Sequence, residues 1–183
     1  MSAEGSDRPG PRVVLVGPMG AGKTTVAELL AKRWSVEMRD TDRVVEATAG
    51  KRIGEIFVDE GEEHFRALER AAVQEALQTH RGVLALGGGA VLHSETRAEL
   101  RGHRVVFLSV GLSDAVKRVG LGVGRPLLLG NVRARIKALL DERRPVYTEV
   151  ATITVDTDGR EPGDVAAEVA TAVESAEREG AIS

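Results

Sequence analysis

The segment Gly17-Pro18-Met19-Gly20-Ala21-Gly22-Lys23-Thr24 constrains the fold more than any other stretch of this chain. It reads G-x-x-x-x-G-K-[ST], with an apolar run from Arg12 to Val16 before it and an amphipathic stretch, Lys23 to Trp34, after it. Strand, tight turn and helix in that order are the setting in which the pattern has a mechanism. The glycines let the backbone aim its N–H groups inward, and the helix N-terminus adds a field that favours an anion. Lys23 supplies a point charge for β- and γ-phosphates, and the Thr24 hydroxyl is a ligand for Mg²⁺. Gly20, Ala21, Gly22, Lys23, Thr24 and Thr25 are the expected contacts to a triphosphate. A glycine-rich turn with no ligand is the bland alternative, and the flanking elements weigh against it.

Beyond this turn, apolar runs keep alternating with amphipathic stretches, as in β–α units of a mainly parallel sheet. Strands are expected at Arg12–Val16, Val36–Met38, Val83–Leu86, Val105–Leu108 and Ile153–Val155. Helices are expected over 23–34, 42–49 with Asp42 as N-cap, 53–58, 62–78, 94–100, 113–119, 132–143 and 164–179. Pro145 is expected to halt the 132–143 helix. A chain of 183 residues without internal repeat or linker suits one domain, here 12–180, behind a disordered polar tail over 1–11. That tail lacks the apolar run of a signal peptide, and the longest apolar stretch, Val83–Leu92, is half a membrane span, so a cytoplasmic protein without a membrane partner is expected. A net charge of −3 with both signs interspersed argues against a nucleic-acid partner. No cysteine is present, which excludes disulfides and thiolate metal sites.

Asp40-Thr41-Asp42 follows the second strand, where ligands gather in open α/β sheets. One carboxylate could hold a hydrated metal and the other face an acceptor hydroxyl; an N-cap plus a solvated aspartate is the competing reading. Gly87-Gly88-Gly89 ends an apolar strand, and three glycines in a row exceed what a turn needs, pointing to a ligand surface. Arg125 sits in the glycine-rich 120–130 stretch, where a lid could close over phosphates. The histidines at 64, 80, 93 and 103 have no metal-ligand spacing and are read as surface residues. The N-K-x-D signature of guanine-nucleotide switches is absent, since the one asparagine is Asn131, followed by valine and arginine.

The motifs run in the order G-P-M-G-A-G-K-T-T, D-T-D, G-E-E-H-F-R-A-L-E, L-A-L-G-G-G-A-V, G-R-P-L-L and R-R-P-V-Y. With that order and spacing, from about Arg12 to Pro162, the chain resembles the shikimate kinases. Gluconate kinases share the first motif and are not expected to show the F-R-x-x-E and G-G-G pair in this form. The resemblance implies an α/β fold with a five-stranded parallel sheet of order 2-3-1-4-5 flanked by helices, like the nucleoside monophosphate kinases. It implies a substrate-binding segment at about 42–71 and a lid at about 120–132. It also implies ATP-dependent phosphorylation of the 3-hydroxyl of shikimate, on the chorismate route to aromatic amino acids; separately, a net charge near zero and one domain suit a monomer. Carried over by position, Asp42 is the proposed base, and Asp40 holds Mg²⁺ through water. Arg66 and Arg143 grip the substrate carboxylate, and Gly87, Gly88 and Gly89 offer the strand-end backbone. Arg125 is the lid arginine on ATP phosphates, while Arg118 and Arg160 fall on the adenine side. A gluconate or related small-acid kinase is the alternative, and a non-catalytic nucleotide-binding regulatory module is a second.

Overall fold

The computed structural model describes residues 9–123 and 129–181. Arg125, the centre of the expected lid and most of the expected tail lie outside these residues.

Five strands, β1 (Val13–Val16), β2 (Met38–Asp40), β3 (Val83–Ala85), β4 (Val105–Ser109) and β5 (Ile153–Asp156), form one parallel sheet of order β2-β3-β1-β4-β5. The expected topology is therefore the observed one. Parallel strands covered on both faces need near-continuous apolar sequence. β1 supplies it, and its side chains divide by the period-two rule. Val13 and Leu15 join Val83, Ala85, Val106 and Leu108 in one core layer. Val14 and Val16 join Leu84, Leu86, Val105 and Phe107 in the other.

The helices close these layers. α1 (Lys23–Trp34) and α8 (Pro162–Gly180) cover the first face. α4 (Glu62–Thr79), α5 (Ser94–Leu100) and α7 (Leu129–Val150) supply side chains to the second. α2 (Thr41–Ala49) and α3 (Ile53–Asp59) fold over α4 around a small satellite core of Val45, Ile56, Phe65 and Ala72. α6 (Leu112–Val123) packs on α7. Because all strands run the same way, residues 17–24, 40–42 and 87–89 emerge at one end of the sheet.

Four local expectations differ from the structure. Asp42 is not the cap of α2; Asp40 is, its Oδ1 accepting from Asp42 N–H at 2.9 Å, which places Asp42 in the first turn. α6 continues through Gly120 and Gly122 to Val123, past the expected start of a loop. Each helical glycine costs about 1 kcal/mol against alanine, a penalty that packing on α7 can offset. α7 passes through Pro145 to Val150. Tyr147 explains this, since its ring is 1% exposed, stacks on Phe107 and pins the helix to the sheet. Finally, His80 is buried, with Nε2 3.0 Å from Val83 O, and is no surface residue.

Candidate active site

A cleft of about 530 Å³ opens at the carboxyl ends of β1, β2 and β3. One wall is the glycine turn and the start of α1, with Gly20, Gly22, Lys23, Thr24 and Thr25. α1 begins at Lys23 with Gly22 at its N-cap and no side-chain cap, so the N–H groups of its first turn remain available to an anion. Lys23 Nζ donates to Gly17 O at 2.7 Å and Pro18 O at 3.0 Å, which holds the ammonium over the turn. Burial pulls its pKa down to about 8; Asp42 and Asp40 oppose this, and Arg143 adds to it.

Thr24 Oγ1 donates to Asp40 Oδ2 at 2.9 Å. A hydroxyl and a carboxylate side by side at the edge of a phosphate cradle are hard oxygen donors suited to Mg²⁺. Among the described residues, no cluster of three or more His, Asp or Glu side chains forms a protein-only metal cage.

The opposite wall carries Asp42, Arg66, Glu69, Gly88, Gly89 and Arg143. Asp42 is half-buried, and its pKa is pushed up to about 6. Burial is the main cause, the negative charges of Asp40 and Glu69 add to it, and Lys23 counters it. The triple glycine has a concrete spatial reason at its two buried ends. A β-carbon at Gly87 would collide with Asp42 Oδ1 and stand 3.1 Å from Glu69 Oε2. One at Gly89 would lie 2.5 Å from Arg66 Nη1. The β-carbons of these two would meet the protein's own charged groups, whereas Gly88 is the most exposed of the three and lines the cleft with Gly89.

Arg66 donates to Glu69 Oε1 at 2.7 Å. Glu69 is only 4% exposed, and burial pushes its carboxyl up against the pull of Arg66. Arg143 faces the cleft, whereas Arg144 is exposed to solvent. Arg118 is tied elsewhere, donating to Gly20 O at 3.0 Å and to Thr157 O at 2.8 Å, so it links the glycine turn to the end of β5. Arg160 lies outside the cleft, bonded to Asp156 O and Glu168.

Three residues at the site were not singled out from sequence. Glu69 carried a usable signal, being a charge on the α4 stripe otherwise formed by Phe65, Ala72, Val73 and Ala76. Thr41, fully buried, accepts from Gly87 N–H at 3.1 Å, and Tyr147 donates its hydroxyl to Gly88 O. Neither contact could be read from spacing.

A cradle for a triphosphate facing two guanidinium groups, beside a carboxylate whose pKa is raised to about 6, defines a P-loop kinase with a small acidic acceptor. Comparison with known proteins makes the assignment specific. The shikimate kinase family model matches residues 19–174, and the chain belongs to that family. The shikimate kinase of Salinispora arenicola is 66% identical over 160 residues, covering 87% of this chain and 96% of that protein. The solved structure of shikimate kinase from Acinetobacter baumannii in complex with shikimate matches with a TM-score of 0.81 at 34% identity, over 92% of this chain and 95% of the other. A gluconokinase from Sinorhizobium meliloti matches with a TM-score of 0.62 at 19% identity, over 95% and 97%, and shares the fold alone.

Proposed function

We propose that the protein transfers the γ-phosphoryl group of ATP to the 3-hydroxyl of shikimate, releasing ADP and 3-phosphoshikimate. One observation carries this reading: the phosphate cradle and the Asp42–Arg66–Arg143 wall line a single cleft, with room for two ligands to meet. The step forms a bond between the acceptor oxygen and the γ-phosphorus and breaks the bond to the β–γ bridging oxygen, which leaves with its electron pair on ADP. Such a transfer needs in-line placement and charge neutralisation more than covalent help.

Each residue type suits its part. The amides of Gly20 to Thr25 and the Lys23 ammonium hold the β- and γ-phosphates, and Lys23 stabilises charge that grows on them. Mg²⁺ would sit on Thr24 and, through water, on Asp40, supplying Lewis-acid neutralisation when bound. Asp42 orients the hydroxyl and takes its proton late. Arg66 and Arg143 offer planar forks for a carboxylate, which lysine could not match. Glu69 sets the Arg66 fork, and Gly88 presents backbone to the ring. Arg118 and the loop of Arg160 border the adenine side, and Arg125, outside the described residues, is assigned to the closing lid. One domain and a net charge near zero suit a monomer, and the reaction belongs in the cytoplasm, where Mg·ATP is supplied.

The test offers purified protein Mg·ATP with shikimate, gluconate or nucleoside monophosphates while ADP release is followed. Turnover on shikimate alone, with phosphate recovered on its 3-oxygen, is the expected result. Turnover on gluconate alone would overturn the acceptor. ATP binding without turnover on any acceptor would instead leave a regulatory module.

A further inference from the structure

Tyr147 lies outside the cleft yet touches it through one bond. Its ring is 1% exposed and stacks on Phe107 with centroids 5.1 Å apart, which anchors the end of α7 to β4. Its hydroxyl donates to the carbonyl of Gly88, which lines the cleft. One helical turn earlier on α7 stands Arg143, whose Nη1 is 3.6 Å from where a β-carbon of Gly88 would be. Arg143 Nε is buried without a hydrogen-bond partner among the described residues, so no bond at that atom locates the guanidinium. What locates it is its surroundings, the Tyr147 hydroxyl among them, which lies close enough to the Arg143 side chain for a hydrogen bond. α7 is weakest just there, because Pro145 has no N–H to return to Asp141 O.

We propose that Tyr147 is a positioning residue for the acid substrate: its hydroxyl locks α7 to the Gly88 carbonyl and thereby holds Arg143 in register with the strand end, across the gap left by Pro145. The inference rests on the reading of Arg143 as a carboxylate ligand. Burial pushes the phenol above its usual range, against the pull of neighbouring Arg143, so it stays a donor at neutral pH.

The test compares Tyr147→Phe, Arg143→Lys and the double variant in the full chain, with shikimate and ADP titrated separately by calorimetry and kcat and KM measured alongside. Tyr147→Phe keeps the ring stack and removes only the hydroxyl. Shikimate affinity should fall about tenfold, the scale of one buried hydrogen bond lost with its acceptor left unsatisfied. ADP affinity and kcat should stay near wild type. The double variant should lose less than the product of the single losses, because both changes act through one guanidinium. Unchanged shikimate affinity in Tyr147→Phe, beside a clear loss in Arg143→Lys, would overturn the positioning role and leave the substrate reading standing. Equal losses for shikimate and ADP would make Tyr147 merely structural and overturn it too, as would multiplicative losses. Unchanged affinity in Arg143→Lys would remove the carboxylate ligand itself, and with it both readings.

Discussion

Asp42 Oδ1 fills the space that a β-carbon on Gly87 would require. The two residues come from different strand ends, and Gly87 N–H also bonds the hydroxyl of Thr41, beside Asp42. Strand β3 therefore sets where the carboxylate can stand. Gly87 has no positive φ, so its backbone would accept an alanine and the whole effect of a substitution would fall on its neighbours.

Gly87→Ala should accordingly displace Asp42 and press on Glu69 without disturbing the glycine turn of the phosphate site. A misplacement of about 1 Å can cost on the order of a hundredfold in rate. Steady-state kinetics should show kcat reduced by that order, with ADP affinity by calorimetry unchanged. A near-normal kcat would mean that the position of Asp42 does not matter to the reaction.

The pH profile should be a bell in kcat/KM. Asp42 accepts a proton only when ionised, so activity should fall as pH drops below about 6. Lys23 grips phosphate only when protonated, so activity should also fall above about 8 in the free enzyme. Bound ATP adds negative charge that favours the ammonium, so the alkaline limb of kcat should lie higher than that of kcat/KM. Asp42→Asn should abolish the acid limb and lower kcat by about a hundredfold or more. Its stability should move the other way. The folded pKa of Asp42 lies above 3.8, so the fold bears a cost for the ionised form that is absent below 3.8 and complete above about 6. Removing the charge should stabilise the ligand-free protein at pH 7 by on the order of 2 kcal/mol, read as a higher Tm. An unchanged acid limb would dismiss Asp42 as the base.

The phosphate turn and the alternation of strands and helices could be anticipated because their determinants are local: an apolar run, a glycine pattern, an amphipathic stretch; the sheet order comes from the resemblance to the shikimate kinases. Asp40 and Asp42 could be picked out as a pair, but their division between cap and first turn depends on one backbone angle that spacing does not encode. Pro145 reads as a stop signal in isolation and is overridden by a tyrosine that binds a strand end distant in sequence. The triple glycine pointed to close approach, while the groups that approach, Asp42 and Arg66, sit on other elements. Thr41, Tyr147 and the neighbours of the triple glycine escaped sequence reading because each makes a contact between segments far apart in the chain, whereas the Asp40 cap and the His80 bond to Val83 O are local.

Asp40→Asn separates the two uses of one side chain. Asparagine keeps an oxygen to accept from Asp42 N–H, so the cap of α2 should survive and Tm should change little. The charge beside Thr24 is lost. Loss of an outer partner of a metal typically weakens binding or activity about 10- to 100-fold. The Mg²⁺ concentration for half-maximal rate should therefore rise by about tenfold at fixed ATP. A titration curve superimposable on wild type would place the ion elsewhere.

Arg66→Ala should weaken shikimate binding more than ATP binding, by about 2 kcal/mol for a charged hydrogen bond. A second consequence follows from Glu69, 4% exposed and bonded to Arg66 at 2.7 Å. Without the guanidinium this carboxylate is a buried charge lacking its partner, and its pKa, already raised by burial, should rise further. The variant should therefore be less stable at neutral pH and recover stability as the pH falls and Glu69 takes up a proton. Arg66→Ala combined with Glu69→Gln should regain that stability but not the lost shikimate affinity, because no cation is restored to the cleft. Thermal melts across pH, paired with shikimate titrations, separate the two effects; if the double variant bound shikimate like wild type, Arg66 would have no part in holding the acid.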